Sequence, residues 1–181
     1  MDIRRVVTAS GADGKSTVVL DDVAPRSVRL TSVPGYDAAL VWSTVRDDGV
    51  AAGRDVADLT GQTGFVPESG GTRLMIATFP PDSVMMCADI DLAAFGAEFA
   101  QLLPGLAETF EAAHPGMHRT NSIDYDVVLE GEIVLELDDG KEVLLRKHDV
   151  VIQHANRHAW RNKSEQPVTM LFVLRGVGKT V

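Results

Sequence analysis

Short runs of apolar and β-branched residues alternate with turn residues along the first eighty positions of the chain. Such runs are typical of β-strands when Gly, Pro or Asp bounds them. The pattern predicts five strands, at residues 4–10, 16–23, 27–30, 38–45 and 72–79. Pro80 and Pro81 end the last of these, because proline cannot donate to a strand ladder. The Gly-, Asp- and Thr-rich stretch at 47–71 is predicted to loop over the surface.

Residues 91–113 have a helical period instead. Their apolar positions recur at the spacing of one face of an amphipathic helix: Leu92, Phe95, Phe99, Leu102, Leu103, Leu106 and Phe110. We expect Asp89 or Asp91 to cap the start, and Pro104 to end a first helix near Leu103 and open a second. This helical segment, at about 91–112, is predicted to be a hairpin covering one face or edge of a sheet. A lid over the mouth of a barrel is the alternative.

The strand signal returns after His118. Apolar runs follow one another there, and turns are predicted at residues 138–140, 146–149, 154–157 and 163–167. Many short strands at regular spacing predict an all-β sandwich or barrel. With 181 residues we expect a single domain over 1–181, made of N-terminal strands and loops (1–90), the helical segment (91–113) and a core (114–175).

The charge balance narrows the set of partners. The chain has 17 Lys and Arg against 26 Asp and Glu, and no basic cluster, so neither nucleic acid nor an anionic membrane is expected to bind. The first residues lack the apolar segment of a secretory signal, and no apolar run is long enough to span a bilayer. We therefore expect a cytoplasmic protein. Cys87, the single cysteine, is expected to be a buried small hydrophobic residue.

One stretch, MHRTNSIDYDVVLEGE, resembles the first motif of the cupin family. That motif has two histidines separated by one residue, then a glutamate, then a glycine. His118 lies at the first histidine, Thr120 at the second, Asp124 at the glutamate and Gly131 at the glycine.

A second stretch, HDVVIQHANRHAWRN, resembles the second cupin motif, with His158 and Asn162 at its histidine and asparagine. The family's Gly-Asp turn is replaced by His148-Asp149, and its Pro-x-Gly turn by residues 153–155. His148 is predicted to be structural, because histidine tolerates a left-handed turn better than most residues.

The resemblance implies a double-stranded β-helix, the jelly-roll barrel of cupins, with the N-terminal strands extending its sheets. It also implies one divalent metal, which cupins hold with three histidines and one glutamate. Thr120 is a poor ligand, which leaves His118, Asp124 and His158 as the predicted metal ligands. Such a set can hold Fe, Zn, Mn or Ni. Loss of the metal is the alternative.

Strand alternation predicts which side chains point into the barrel. Alternate residues share one face, so three pairs face inward: His118 with Thr120, Asp124 with Asp126, and His158 with Trp160. Two neighbouring carboxylates raise each other's pKa, which suits proton transfer. Asp126 and His158 are therefore the candidate catalytic residues, and Thr120 and Trp160 the candidate substrate-binding residues. Arg119 and Tyr125 are predicted to point away from this set.

The resemblance and these residues predict a small-molecule enzyme. We expect a metal-assisted lyase or isomerase, of dehydratase or decarboxylase type, acting on a small oxygenated metabolite. An Fe(II) oxygenase at the same site is one alternative, and a metal-free binding module without catalysis is another. A homodimer paired through sheet edges is also expected.

Overall fold

The computed structural model, which describes residues 1–46, 56–87 and 90–178, contains eleven strands in those ranges. They are β1 (Arg4–Ser10), β2 (Ser16–Val23), β3 (Arg26–Arg29), β4 (Asp37–Thr44), β5 (Thr72–Phe79), β6 (Ser122–Glu130), β7 (Glu132–Glu136), β8 (Glu142–Arg146), β9 (Val150–His154), β10 (Ala159–Arg161) and β11 (Val168–Gly176). The helices are α1 (Asp82–Met85) and α2 (Leu92–Leu102), with 3₁₀ turns at Ala107–Thr109 and Asp138–Gly140.

Two sheets enclose the core. The larger has six strands in the order β3-β4-β5-β11-β6-β9, and the smaller has the order β10-β7-β8. Inward side chains of both sheets join one buried apolar cluster, in which Met170 and Val128 of the larger sheet meet Ile133 and Leu145 of the smaller. Apolar area removed from water on both inner faces is the main stabilising term. The predicted all-β jelly roll is confirmed.

The N-terminal strands divide between two places. β3, β4 and β5 extend the six-stranded sheet, as predicted. β1 and β2 instead pair only with each other, as a separate antiparallel hairpin, so that part of the prediction is wrong. Buried Arg5 joins the hairpin to the rest of the molecule, because its guanidinium donates to Val41 O and to Asp58.

Helix α2 packs against the core through its aromatic face. Asp91 caps it by accepting from the amides of Ala93 and Ala94, while Asp89 lies outside the described residues. Phe99 is buried and contacts Tyr36 and Phe110 edge to face. This packing matches the covering role that the helical period predicts.

The prediction of a second helix in the hairpin is wrong. Only the 3₁₀ turn at Ala107–Thr109 follows α2, because Pro104 and the left-handed Gly105 (φ 86°) interrupt the helix and too few residues remain before the next strand pairing. None of the helices in the three described ranges is long and apolar enough to cross a membrane.

Two surface predictions need correction. Residues 56–71 form turns without helix or strand, as expected, but Phe65 and Thr60 are fully buried. Residues 47–55 lie outside the described part. Cys87 is exposed rather than buried, because it follows α1 in a turn beside the exposed Met86.

The outer face of the six-stranded sheet carries an exposed apolar strip. On the edge strand β9, Val150 and Ile152 are 59% and 49% exposed, and Tyr125 lies directly opposite Ile152 on β6. A flat, apolar edge strand is a template for pairing with another chain. We propose that β9 pairs with its copy across a two-fold axis to give a homodimer.

Ile152→Lys tests that dimer. A lysine on this strip would place two like charges close together across the axis, so the variant should be a monomer where the wild type is a dimer. Light scattering at micromolar concentration measures the mass. Leu92→Lys, at an exposed apolar residue of α2, is the matched control and should leave the mass unchanged. A monomeric wild type would refute the dimer.

Candidate functional site

Backbone pairing sets two histidines side by side inside the barrel. His118 N donates to His158 O at 2.9 Å and His158 N donates back to His118 O at 3.0 Å, so the two imidazole centroids lie 4.2 Å apart. Each Nδ1 lies 3.1 Å from a carbonyl oxygen, of Gly116 and of Asn156 respectively. A carbonyl can only accept, so each Nδ1 carries the proton and each Nε2 keeps its lone pair.

Both imidazoles are held neutral. Burial, and to a lesser extent neighbouring His158, lowers the pKa of His118 to about 4, while the bond to Gly116 opposes the shift. Burial also lowers the pKa of His158. Phe110 stacks on His118 with centroids 4.5 Å apart and closes that side of the site. The pair therefore acts as hydrogen-bond acceptors at neutral pH.

Two carboxyl groups on β6 face the same interior. Asp124 and Asp126 are 5% and 1% exposed. Burial raises the pKa of both, and the charge of Asp124 adds to the effect at Asp126, whose pKa reaches about 8. One oxygen of each, Oδ1, is buried with no hydrogen-bond partner among the described residues. An unpartnered buried acceptor costs about 1–3 kcal/mol, a cost that a water or another group from outside the chain would remove.

Thr120, which lies at a histidine position of the motif, hydrogen-bonds the carboxylate of Asp124. Its hydroxyl donates to Asp124 Oδ2 at 3.3 Å and accepts from Ser122 Oγ at 2.8 Å. These bonds oppose the rise in the pKa of Asp124. Ser122 was not among the predicted site residues, although alternation along β6 turns it inward with Asp124.

Gln153 on β9 links the acids to the histidines, and sequence reasoning missed it. Its Nε2 donates to Asp126 Oδ2 at 2.9 Å and lies 3.1 Å from His158 Nε2. The side chain is 3% exposed. A polar residue at an inward position of a strand was the available signal, but the contact depends on β9 lying beside β6.

Aromatic side chains form the remaining wall. Trp160 contacts His158 edge on, with centroids 5.8 Å apart, and contacts Phe172 at 5.9 Å. Arg119 is exposed and Tyr125 is 44% exposed, so both point away as alternation predicts. All the inward pairs predicted from the strand pattern face the interior, although Trp160 is only half-buried.

His118, Asp124 and His158 do not fit a metal in this arrangement. The described residues contain no group of three or more His, Cys, Asp and Glu side chains placed to hold an ion. His158 presents only Nε2 to the interior, and that nitrogen already faces the amide of Gln153. The predicted divalent metal thus lacks a fitting set of ligands in the described ranges.

His148, by contrast, has the structural role predicted for it. Its backbone is left-handed (φ 76°) in the turn between β8 and β9, and its amide donates to Val128 O at 2.8 Å. Asn162 is also structural, because its buried side chain donates to Phe79 O and Gln166 O and so holds the turn at 163–166.

The solved structures that match the chain are distant from it in sequence. A cupin family protein with a double-stranded β-helix fold from Methanocaldococcus jannaschii is 13% identical, with a TM-score of 0.38, over 60% of this chain and 73% of that chain. A putative ethanolamine utilization protein Q from Salmonella typhimurium is 10% identical, with a TM-score of 0.43, over 98% of this chain and 99% of that one. No family model matches the chain.

Relatives at higher identity match short stretches. The chain is 56% identical over 48 residues to phomopsin biosynthesis cluster protein C' of Diaporthe leptostromiformis, covering 26% of this chain and 25% of that protein. It is 43% identical over 61 residues to cupin-domain-containing oxidoreductase virC of Hypocrea virens, covering 32% and 31%. The matches thus span a third or less of the relatives' length. With the facing sheets and both motifs, these matches make part of the chain similar to cupin-domain proteins.

Proposed function

We propose that the protein is a small-molecule enzyme, a lyase or isomerase of dehydratase type that acts on a small oxygenated metabolite through the Asp124–Asp126 pair. The observation that carries the proposal is the two unpartnered carboxyl oxygens in the barrel interior. A buried acceptor without a partner calls for an explanation, and a catalytic role is one such explanation.

The two carboxyls are suited to different roles. Asp126, with a pKa of about 8, holds its proton at neutral pH and can act as the acid. Asp124 has donors nearby from Thr120 and Ser122 that favour its charged form, so it can act as the base. Environments that separate the pKa values of two neighbouring groups commonly mark acid and base assignments.

A dehydration by this pair balances without a cofactor. Asp124 takes the proton from a carbon beside a carbonyl, the C–O bond of the neighbouring carbon breaks, and Asp126 gives its proton to the departing hydroxyl. The substrate loses one water, and the proton now on Asp124 returns to Asp126. Proton transfer by positioned side chains contributes about 10²–10⁴-fold in rate.

Nearby side chains would orient the substrate. Gln153 donates to the Asp126 carboxyl and contacts the neutral His158, while Trp160 offers an aromatic surface beside His158. Thr120 holds Asp124 from the other side. We therefore propose Asp124 and Asp126 as the catalytic residues and Trp160 as a substrate-binding residue. His158, through Gln153, and Thr120, the other candidates from the sequence, hold the two carboxyl groups in position.

The relatives favour a second candidate. Several are named cupin-domain-containing oxidoreductases, among them virC of Hypocrea virens and fogC of Aspergillus ruber. A redox reaction at the same interior cluster, such as the Fe(II) oxygenase considered from the sequence, would need iron that His118, Asp124 and His158 do not fit as arranged.

Proton exchange in D₂O tests the proposed function. Chelator-treated protein would be incubated with a panel of β-hydroxy ketones, β-hydroxy aldehydes and 3-hydroxy acids, and NMR would follow α-proton exchange and loss of water. We expect turnover that falls about 10²–10⁴-fold in Asp126→Asn. Glu130→Gln, at the exposed end of the same strand, is the matched control and should keep full activity.

Two results would contradict the proposal. Compounds that raise the melting temperature without exchange or turnover would make the protein a binding module. Turnover that appears only with added Fe(II) and oxygen would make it an oxygenase.

A further inference from the structure

We infer that Gln153 excludes divalent metals from this cupin site, because its amide occupies the histidine nitrogen that a metal would need. The inference deepens the proposed function and rests on its metal-free form. By this inference, Gln153 determines whether the site is held by hydrogen bonds or binds a metal.

The amide of Gln153 is fully used. Its two N–H groups serve two acceptors: Asp126 Oδ2 at 2.9 Å and His158 Nε2 at 3.1 Å. His158 Nδ1 is committed to Asn156 O, so Nε2 carries the only lone pair available to a metal. A metal ion and the amide proton compete for that lone pair, and both cannot have it.

The amide is also held in place. Asn156 Nδ2 lies 3.4 Å from Gln153 Oε1, a long contact that favours the same orientation of the amide. Turning the side chain away would leave Asp126 without its one partner, since Asp126 Oδ1 already has none among the described residues. The loss of a buried partner costs about 1–3 kcal/mol, which a metal would have to repay.

The histidines themselves are arranged as ligands. Ligating histidines usually donate their other ring N–H to a carbonyl or carboxylate, and both His118 and His158 do so to backbone carbonyls. Two features separate this site from a metal site: the amide of Gln153 on His158, and Thr120 in the position of a third imidazole. Removing the first should restore part of the affinity, and removing both should restore more.

Metal titration of four proteins tests the inference. Zn²⁺ alone is added to chelator-treated wild type, Gln153→Ala, Thr120→His and the double variant, and binding is followed by calorimetry and elemental analysis. Changes of this kind around a metal shift affinity about 10–100-fold. We expect Gln153→Ala to bind at least about tenfold more tightly than wild type, and the double variant more tightly still. Gln101→Ala, at an exposed residue of α2, is the control and should match wild type.

Stoichiometric, tight binding of Zn²⁺ by the wild type would overturn the inference, as would a Gln153→Ala variant that is folded and binds no better. If Gln153→Ala fails to fold, Gln153→Leu keeps more of the packing. Imidazole ¹⁵N NMR of the wild type tests the same point without any variant, because His158 Nε2 should not shift during the titration.

The inference and the proposed function can fail separately. A gain of metal binding in Gln153→Ala together with full catalysis by Asp126→Asn would support the inference and reject the proposed acid–base reaction. Dehydration by a wild type that binds Zn²⁺ stoichiometrically would support the proposed function and reject the inference about Gln153.

Discussion

Asp126→Asn should make the protein more stable than wild type at alkaline pH and leave its stability at pH 4 nearly unchanged. Asparagine keeps the shape of the side chain and an oxygen that can accept from Gln153, but it cannot ionise. The protonated carboxyl of the wild type is therefore the form that Asn imitates, and the two proteins differ only where Asp126 is forced to lose its proton.

The direction follows from the two pKa values of Asp126. The folded pKa, about 8, lies above the unfolded value near 4, so folding takes up a proton between them. Stability from this group is fully present below pH ~4 and is lost as pH rises toward ~8, at up to about 1.4 kcal/mol per unit. The total approaches an order of 5 kcal/mol, or roughly 10 °C or more in Tm.

The comparison isolates Asp126 from the other titrating groups. His118 and His158 have lowered pKa values, so they favour folding as pH rises toward their ordinary value and act in the opposite direction in both proteins. Chemical denaturation at pH 4, 6, 8 and 9 measures the difference. Glu165→Gln, at an exposed carboxyl, is the control and should follow wild type at every pH. Equal stability of Asp126→Asn and wild type at pH 9 would show that Asp126 ionises normally.

Arg73→Met should lower the free energy of unfolding by about 3–5 kcal/mol. Arg73 lies on β5, is 1% exposed, and donates to Gly64 O, Thr44 O and Thr72 O, each at 2.8 Å, as well as to Glu68. Methionine fills much of the same volume but satisfies none of the three carbonyls, and buried acceptors left unpaired carry the cost. The loss corresponds to about 10 °C in Tm.

Urea unfolding at neutral pH measures the effect of Arg73→Met. Arg175→Met is the matched control, because Arg175 lies on the neighbouring strand β11 with its side chain exposed. That variant should differ from wild type by no more than about 0.5 kcal/mol. A loss below about 1 kcal/mol for Arg73→Met would show that water replaces the arginine in these contacts.

Local pattern was enough to predict most of the strands and the direction of the site residues. The strand at 72–79 matches the structure residue for residue, because its alternation and the prolines after it are both local signals. The same period of two correctly predicted that Asp124 and Asp126 point inward and that Tyr125 points outward. The family motifs predicted that His118 and His158 lie close together, although the two residues are forty positions apart in the sequence.

What the sequence did not reveal depends on contacts between distant segments. Gln153 became part of the site because β9 pairs with β6 in a register that puts it opposite Asp124. The sequences of β1 and β2 predict strands but do not reveal which strands they pair with. Their separate hairpin could therefore not be distinguished from an extension of the larger sheet. Cys87 was expected to be buried from its residue type, but the turn after α1 exposes it.

The position of β11 has a consequence for synthesis of the protein on the ribosome. This strand lies between β5 and β6, pairing Thr72 with Arg175 on one side and Ile123 with Arg175 on the other. Until residues 168–176 leave the exit tunnel, the sheet exists as two halves with open inner edges. Pairing across a hundred residues is slow, and unpaired edges bind other chains. The nascent chain is thus most vulnerable to aggregation just before its central strand arrives.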